Sequence, residues 1–141
     1  MISQIALIQL GGCLHLCQLP GTWYLGKRLL GIDRELERLS PLVAAIVMVL
    51  GLAAVTLLVS LGVFVVLFSA ELAASSFGHV LIAFLGAFWL VRLGVQLYYY
   101  FGLPWPRSPA GRLSHGALVA IFGTQAAAYL SSLLVGTGFG P

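Results

Sequence analysis

Cys13, His15, Cys17 and Gln18 fall within six consecutive positions of an otherwise apolar run, and Arg92 interrupts a second such run. An imidazole can ligate a metal or carry a proton. Two thiols one helical turn apart can supply half of a metal site. A guanidinium recognises carboxylates and phosphates. Spacing decides which of these chemistries the chain can assemble. On a helix, Gln4, Ile8, Gly11, His15, Gln18 and Thr22 recur in steps of 4, 3, 4, 3 and 4 and form one small or polar stripe facing a neighbour. Cys13 and Cys17 lie on a different face. With no CxxC and no second cysteine pair to complete a site, they read as buried structural thiols.

Arg92 lies nine residues, roughly 14 Å, from the inner end of its helix, and His15 lies at the same depth in the first helix. Gln96 and Gln18 match one turn further in. An arginine in mid-membrane costs about 2.5–3.5 kcal/mol on insertion scales and usually faces the bundle interior. The expected arrangement is therefore a polar cluster of His15, Gln18, Arg92 and Gln96, joined by Gln125. Three readings of the cluster are open. The preferred one is an interhelical hydrogen-bond network that fixes packing. The others are a pocket for a quinone, a lipid headgroup or a tetrapyrrole such as haem, and a contact with another subunit. His15, His79 and His115 lie at different depths, so bis-histidine haem ligation within one chain is not expected, although a single histidine ligand stays open. His115 reads as an interfacial residue and His79 as an outer-surface one. No intramembrane carboxylate, no paired acid and base and no catalytic constellation is present, and no metal site or cofactor is assigned.

The elements that must position these groups follow from composition. The chain has 141 residues, of which 60% are hydrophobic and 8% charged. Soluble domains carry about 25% charged residues, so the bilayer is the expected solvent. The net charge of +3 forms no basic stripe, so nucleic acid is not an expected partner. A single transmembrane domain over 1–141 is expected, an all-α up-down bundle of four transmembrane helices at about 2–24, 42–68, 79–101 and 113–135. Ser40 reads as the cap and Pro41 as the first residue of the second helix. The first lacks a basic leader segment and reads as retained, with a kink expected near Pro20.

The linking segments give orientation. Loops 25–41 and 102–112 hold six of the seven basic residues, whereas 69–78 holds only Glu71 as a charge. By the positive-inside rule the two basic loops are cytoplasmic and both termini are outside. Trp23, Tyr24, Tyr98, Tyr99, Tyr100 and Trp105 collect at the same boundary as an aromatic belt. GIDRELERLSP reads as a short interfacial helix with Asp33 as its cap and Arg34–Glu37 and Glu35–Arg38 pairs. Gly116, Ala120, Gly123, Ala127 and Ser131 form a small-residue face on the last helix, expected to pack within the bundle or, alternatively, across an oligomer interface.

The stretch LHLCQLPGTWYLGKRLLG and the short helix after it resemble in outline small haem-linked bacterial membrane proteins of the protoporphyrinogen-oxidase type. The likeness does not extend to the last two helices, and no site residue is carried over from it. The expected role is a small non-catalytic accessory or structural subunit of a larger membrane complex. Its expected surroundings are the lipid bilayer, other membrane subunits or further copies of itself. A bacterial cytoplasmic membrane is the expected location. The alternative is a small redox or cofactor-handling membrane protein that binds a quinone, haem or lipid headgroup near His15 and Arg92.

Overall fold

A serine starts each long helix. The Ser3 hydroxyl accepts from the Ala6 amide (3.2 Å), Ser40 from Val43 (3.4 Å), Ser75 from Gly78 (3.0 Å) and Ser108 from Gly111 (3.1 Å). Each bond satisfies one of the amides that a helix start leaves without an intrahelical acceptor. Pro41 and Pro109 follow two of these caps, where a missing N–H costs nothing. The computed structural model describes residues 3–24 (backbone only from 19), 32–102 and 108–136. Its elements are α1 (Gln4–Tyr24), α2 (Ile32–Leu36), α3 (Pro41–Leu67), α4 (Ser69–Ala74), α5 (Ser76–Gly102) and α6 (Pro109–Gly136). No strand occurs among the described residues.

Helices α3, α5 and α6 are long and apolar enough to cross a membrane. The 21 residues of α1 carry Gln4, Gln9, His15 and Gln18, which dilute its hydropathy, and it is not among those three. It continues as helix through Pro20 to Tyr24. The interfacial segment is shorter than its sequence suggests. Only α2 is helical, and Asp33 lies inside its first turn rather than capping it. The Glu35–Arg38 pair forms at 3.0 Å with both side chains well exposed. Between α3 and α5 the chain forms a further short helix, α4, whose Ser69 and Leu72 are buried. Gly78 at the start of α5 lies directly on the Leu72 backbone, leaving no room for a side chain.

The packing order is α3 on α1, α1 on α6, and α6 on α5, with α4 braced against α5 and α1. Successive long helices run antiparallel. The close crossing of α1 and α3 depends on two glycines. A Cβ at Gly62 would fall 2.7 Å from the His15 Cβ and 3.0 Å from the Gly12 carbonyl, and one at Gly12 would fall 3.1 Å from the Gly62 carbonyl. Small residues let membrane helices approach backbone to backbone, which supplies the dispersion contacts that drive their association in lipid. Over its first four turns and more α3 is nearly bare: Leu42, Met48, Val49, Leu50, Leu52 and Leu57 are all exposed, Leu58 and Leu61 touch the core only in part, and Gly62 and Val65 alone are buried. The bundle is thus open on one side, because α3 is held mainly through α1.

The core comprises Ile8, Val65, Leu72, Ile82, Leu85, Trp89, Phe122, Ala126 and Tyr129. The small-residue face of α6 is not part of it. Gly116, Ala120 and Ala127 are exposed, Gly123 and Ser131 are half-buried, and a Cβ at Gly116 would touch nothing within 4 Å. Helix α6 instead buries Gly111, Ser114, Phe122, Gln125, Ala126, Ala128, Tyr129 and Ser132. The expectation of intramolecular packing on the small face is corrected. The inward face of α6 combines Phe122, Gln125 and Tyr129 with a different set of small residues, and the expected small stripe lies on the opposite side of the helix.

Candidate functional site

Residues of α1, α5 and α6 build the polar interior. Spacings of three and four on α1 put Ile8, Gly11, His15 and Gln18 on one buried face. At Gly11 a Cβ would fall 2.5 Å from the Tyr129 ring carbon Cζ, so glycine makes room for that ring. His15 is wholly buried beside it. Its Nε2 accepts from the Trp89 indole N–H at 3.2 Å, and its Nδ1 donates to the Gly11 carbonyl at 2.9 Å. The Tyr129 hydroxyl lies 3.2 Å from the same Nδ1. These contacts define a neutral imidazole protonated on Nδ1, since an indole donor needs a lone pair on Nε2. Around it, the Trp89 ring meets His15 edge-on at 5.1 Å and stacks on Phe122 at 5.3 Å.

Gln18 donates from Nε2 to Gln125 Oε1, joining α1 to α6 one turn from His15. The Gln125 side chain is fully buried, and its own Nε2 has no hydrogen-bond partner. Gln96 is buried elsewhere, bonding His115 Nδ1 at 3.2 Å, and the His115 ring stacks on Tyr100 at 3.6 Å. At the other end of the bundle, His79 Nε2 donates to the Ala73 carbonyl at 3.0 Å and Gln9 donates to Ser69 at 3.1 Å. The two histidines outside the centre are both half-buried.

The single cluster expected from the sequence is therefore divided. His15 belongs with Trp89 and Tyr129, Gln18 with Gln125, and Gln96 with His115. Arg92 is exposed, and its guanidinium lies over the Phe122 ring, 5.1 Å from the centroid. The expectation that Arg92 faces His15 is corrected for a geometric reason. Residues three apart on a helix are about 60° apart around its axis, and the indole of Trp89 occupies the direction toward α1. Arg92 is left on the flank. Tyr129 and Trp89 went unassigned as partners of His15 because their apolar bodies read as core. The signal was available: a buried indole N–H or phenol O–H usually finds a polar partner.

The remaining positions are placed as follows. Cys13 and Cys17 are exposed and free, which corrects the reading of buried thiols; the stripe that includes His15 occupies the inward face. Tyr98 and Tyr99 are exposed and Tyr100 is half-buried. The side chains of Thr22, Trp23 and Tyr24, and Trp105 as a whole, lie outside the described residues. Lys27, Arg28 and Arg107 of the basic loops lie outside them too. Among the described residues no group of three or more His, Cys, Asp or Glu could hold a metal ion. Compared with known protein families, curated proteins and solved structures, the chain matches none.

Proposed function

We propose that this chain is a small non-catalytic subunit of a larger membrane complex, with a structural or accessory role. The observation that carries the reading is α3. Its 27 residues hold no charge, yet only Gly62 and Val65 are buried by the rest of the chain. A helix apolar on all sides belongs against lipid or protein. The imidazole at the centre, by contrast, is satisfied within the chain. His15 uses both ring nitrogens within the chain, so a haem iron or quinone carbonyl at either nitrogen would first have to displace Trp89 or Gly11. This disfavours the cofactor-handling alternative at His15.

In this reading α1 is the fourth span. It lies between α3 and α6, and its length of about 32 Å is comparable to a hydrocarbon core. The segments rich in Lys and Arg face the cytoplasm of a bacterial cell, and both termini lie outside.

The test is purification from native membranes in mild detergent, followed by mass determination and identification of every chain in the particle. The expected result is a particle with other membrane proteins at fixed stoichiometry and no absorption beyond that of protein. A particle containing this chain alone, or one with a Soret band at stoichiometric intensity, would overturn the proposal.

A further inference from the structure

Among the described residues one buried side-chain atom is left without a hydrogen-bond partner, Nε2 of Gln125. It has a neighbour with the same need. Phe122 lies three residues before Gln125 on α6 and carries the Arg92 guanidinium on its ring face. Helices α1, α5 and α6 contain no Asp or Glu at all, so none of them offers Arg92 a carboxylate. Glu35 is engaged with Arg38 on the exposed α2 segment, and Glu71 lies on α4 at the other end of α5. A guanidinium can only donate, and so can an amide nitrogen. Two donors without an acceptor thus lie to either side of Phe122, Arg92 over its ring and Gln125 one turn further along α6 at the contact with α1, in a chain whose surroundings are apolar.

We propose that Arg92 and Gln125 form a binding site for an oxyanion carried on an acyl chain: the carboxylate of a fatty acid or the phosphate of an anionic phospholipid. An acceptor-only ligand satisfies both donors, and its charge complements Arg92. The apolar surface beside the guanidinium suits the chain of such a ligand, since Phe88, Val91 and Val95 are all exposed next to Arg92 on α5. Depth fits as well. Tyr98 lies six residues, about 9 Å, further along the helix, and an arginine stem can extend part of that distance toward a headgroup region. A carboxylate on a neighbouring protein helix fits less well. Packed helix axes stay about 8–10 Å apart, so such a group would meet Arg92 at its exposed flank and stop short of the fully buried Gln125 amide. In this proposal a headgroup oxygen on a flexible chain reaches the amide past Phe122. This site does not depend on the subunit reading above.

Native mass spectrometry of the whole chain in a non-ionic detergent tests it, with oleate, methyl oleate, dioleoylphosphatidylglycerol and dioleoylglycerol as probes. Retention of oleate over methyl oleate identifies a carboxylate ligand, and retention of phosphatidylglycerol over dioleoylglycerol identifies a phosphate. Arg92→Gln is expected to weaken retention by about tenfold or more, the loss of one charge-assisted hydrogen bond. Arg92→Lys should recover part of it, and Gln125→Met should weaken it by several-fold. Because Arg92 is exposed, Arg92→Gln should keep the wild-type unfolding transition, which separates lost binding from lost fold. Equal retention of charged and uncharged probes by the wild type overturns the proposal, as does unchanged retention by a folded Arg92→Gln variant. Loss of a membrane-protein partner on Arg92→Gln, with amphiphile retention unchanged, overturns it in favour of a helix carboxylate.

Discussion

The indole N–H of Trp89 points at Nε2 of His15 over 3.2 Å, tying α5 to α1 at a place where neither ring is exposed to its surroundings. Each ring satisfies the other's need for a partner. The His15 ring then passes its second bond to the carbonyl of Gly11, the glycine that makes room for Tyr129. One imidazole therefore sets the spacing of α1, α5 and α6.

His15→Leu should strand the Trp89 donor and lower stability by about 1–2 kcal/mol, while His15→Gln, which can both accept and donate, should cost less. Trp89→Phe removes the donor together with packing volume. A double-mutant cycle of His15→Leu and Trp89→Phe, read by denaturant unfolding in mixed micelles, should give a coupling of about 0.6–1.7 kcal/mol. Additivity of the two substitutions would show that the bond contributes nothing to the fold.

Gly62→Ala tests the crossing of α1 and α3. A methyl group there would meet the His15 Cβ at 2.7 Å and the Gly12 carbonyl at 3.0 Å, and backbone can yield only by separating the helices. A loss of about 1–3 kcal/mol is expected, typical of overpacking. Gly51→Ala and Gly116→Ala serve as contrasts, because a Cβ at either position has nothing within 4 Å. Both should leave stability unchanged or raise it slightly, since alanine favours helix over glycine. Equal losses at all three positions would mean that the close approach at Gly62 has no special weight.

The positions of the long helices were largely legible in the sequence, because continuous apolar runs and the Ser40–Pro41 start carry their own physical reasons. The observed bounds differ from the expected ones mainly at helix starts. There Ser75 and Ser108 place the caps of α5 and α6 a turn or so earlier. The repeated Ser–Pro of Ser40–Pro41 and Ser108–Pro109 could have shown the second of these. The inward stripe of α1 was legible because its 4-3 spacing is local. The partners were not. Matching residues by depth alone paired His15 with Arg92, but helix rotation about its axis decides which residue faces inward, and a 60° difference gave that direction to Trp89. The small-residue face of α6 misled for a related reason. Small residues permit close approach without stating on which side it happens.

Cys13 and Cys17 provide a check on that rotation of α1. Both are exposed, one turn apart, on the face away from His15. They should react with a membrane-permeant maleimide in lipid vesicles and resist a charged, impermeant one, and no disulfide should appear on non-reducing mass analysis. Cysteine placed at Ile8, which is wholly buried, should react far more slowly with the permeant reagent. Similar rates at positions 8, 13 and 17 would place the wrong face of α1 inward.

The membrane arrangement proposed for the chain rests on α1 crossing beside the three strongly apolar helices, and a topology map decides it. In a background lacking the native cysteines, single cysteines near residues 35 and 107 should be labelled only from the cytoplasmic side, and one at 74 only from outside. Those three sites fix α3 and α5 but say nothing of α1 or of the far end of α6, so a fourth at Ser3 and a fifth at Gly136 are needed. If α1 spans, Ser3 lies on the same side as residue 74; the pairing of Gln9 with Ser69, at the start of α4, already places the first turns of α1 at that end of the bundle. Labelling of position 3 from the cytoplasmic side, with 74 outside, would mean that α1 does not cross and that its contacts with α3 and α6 do not survive in the membrane.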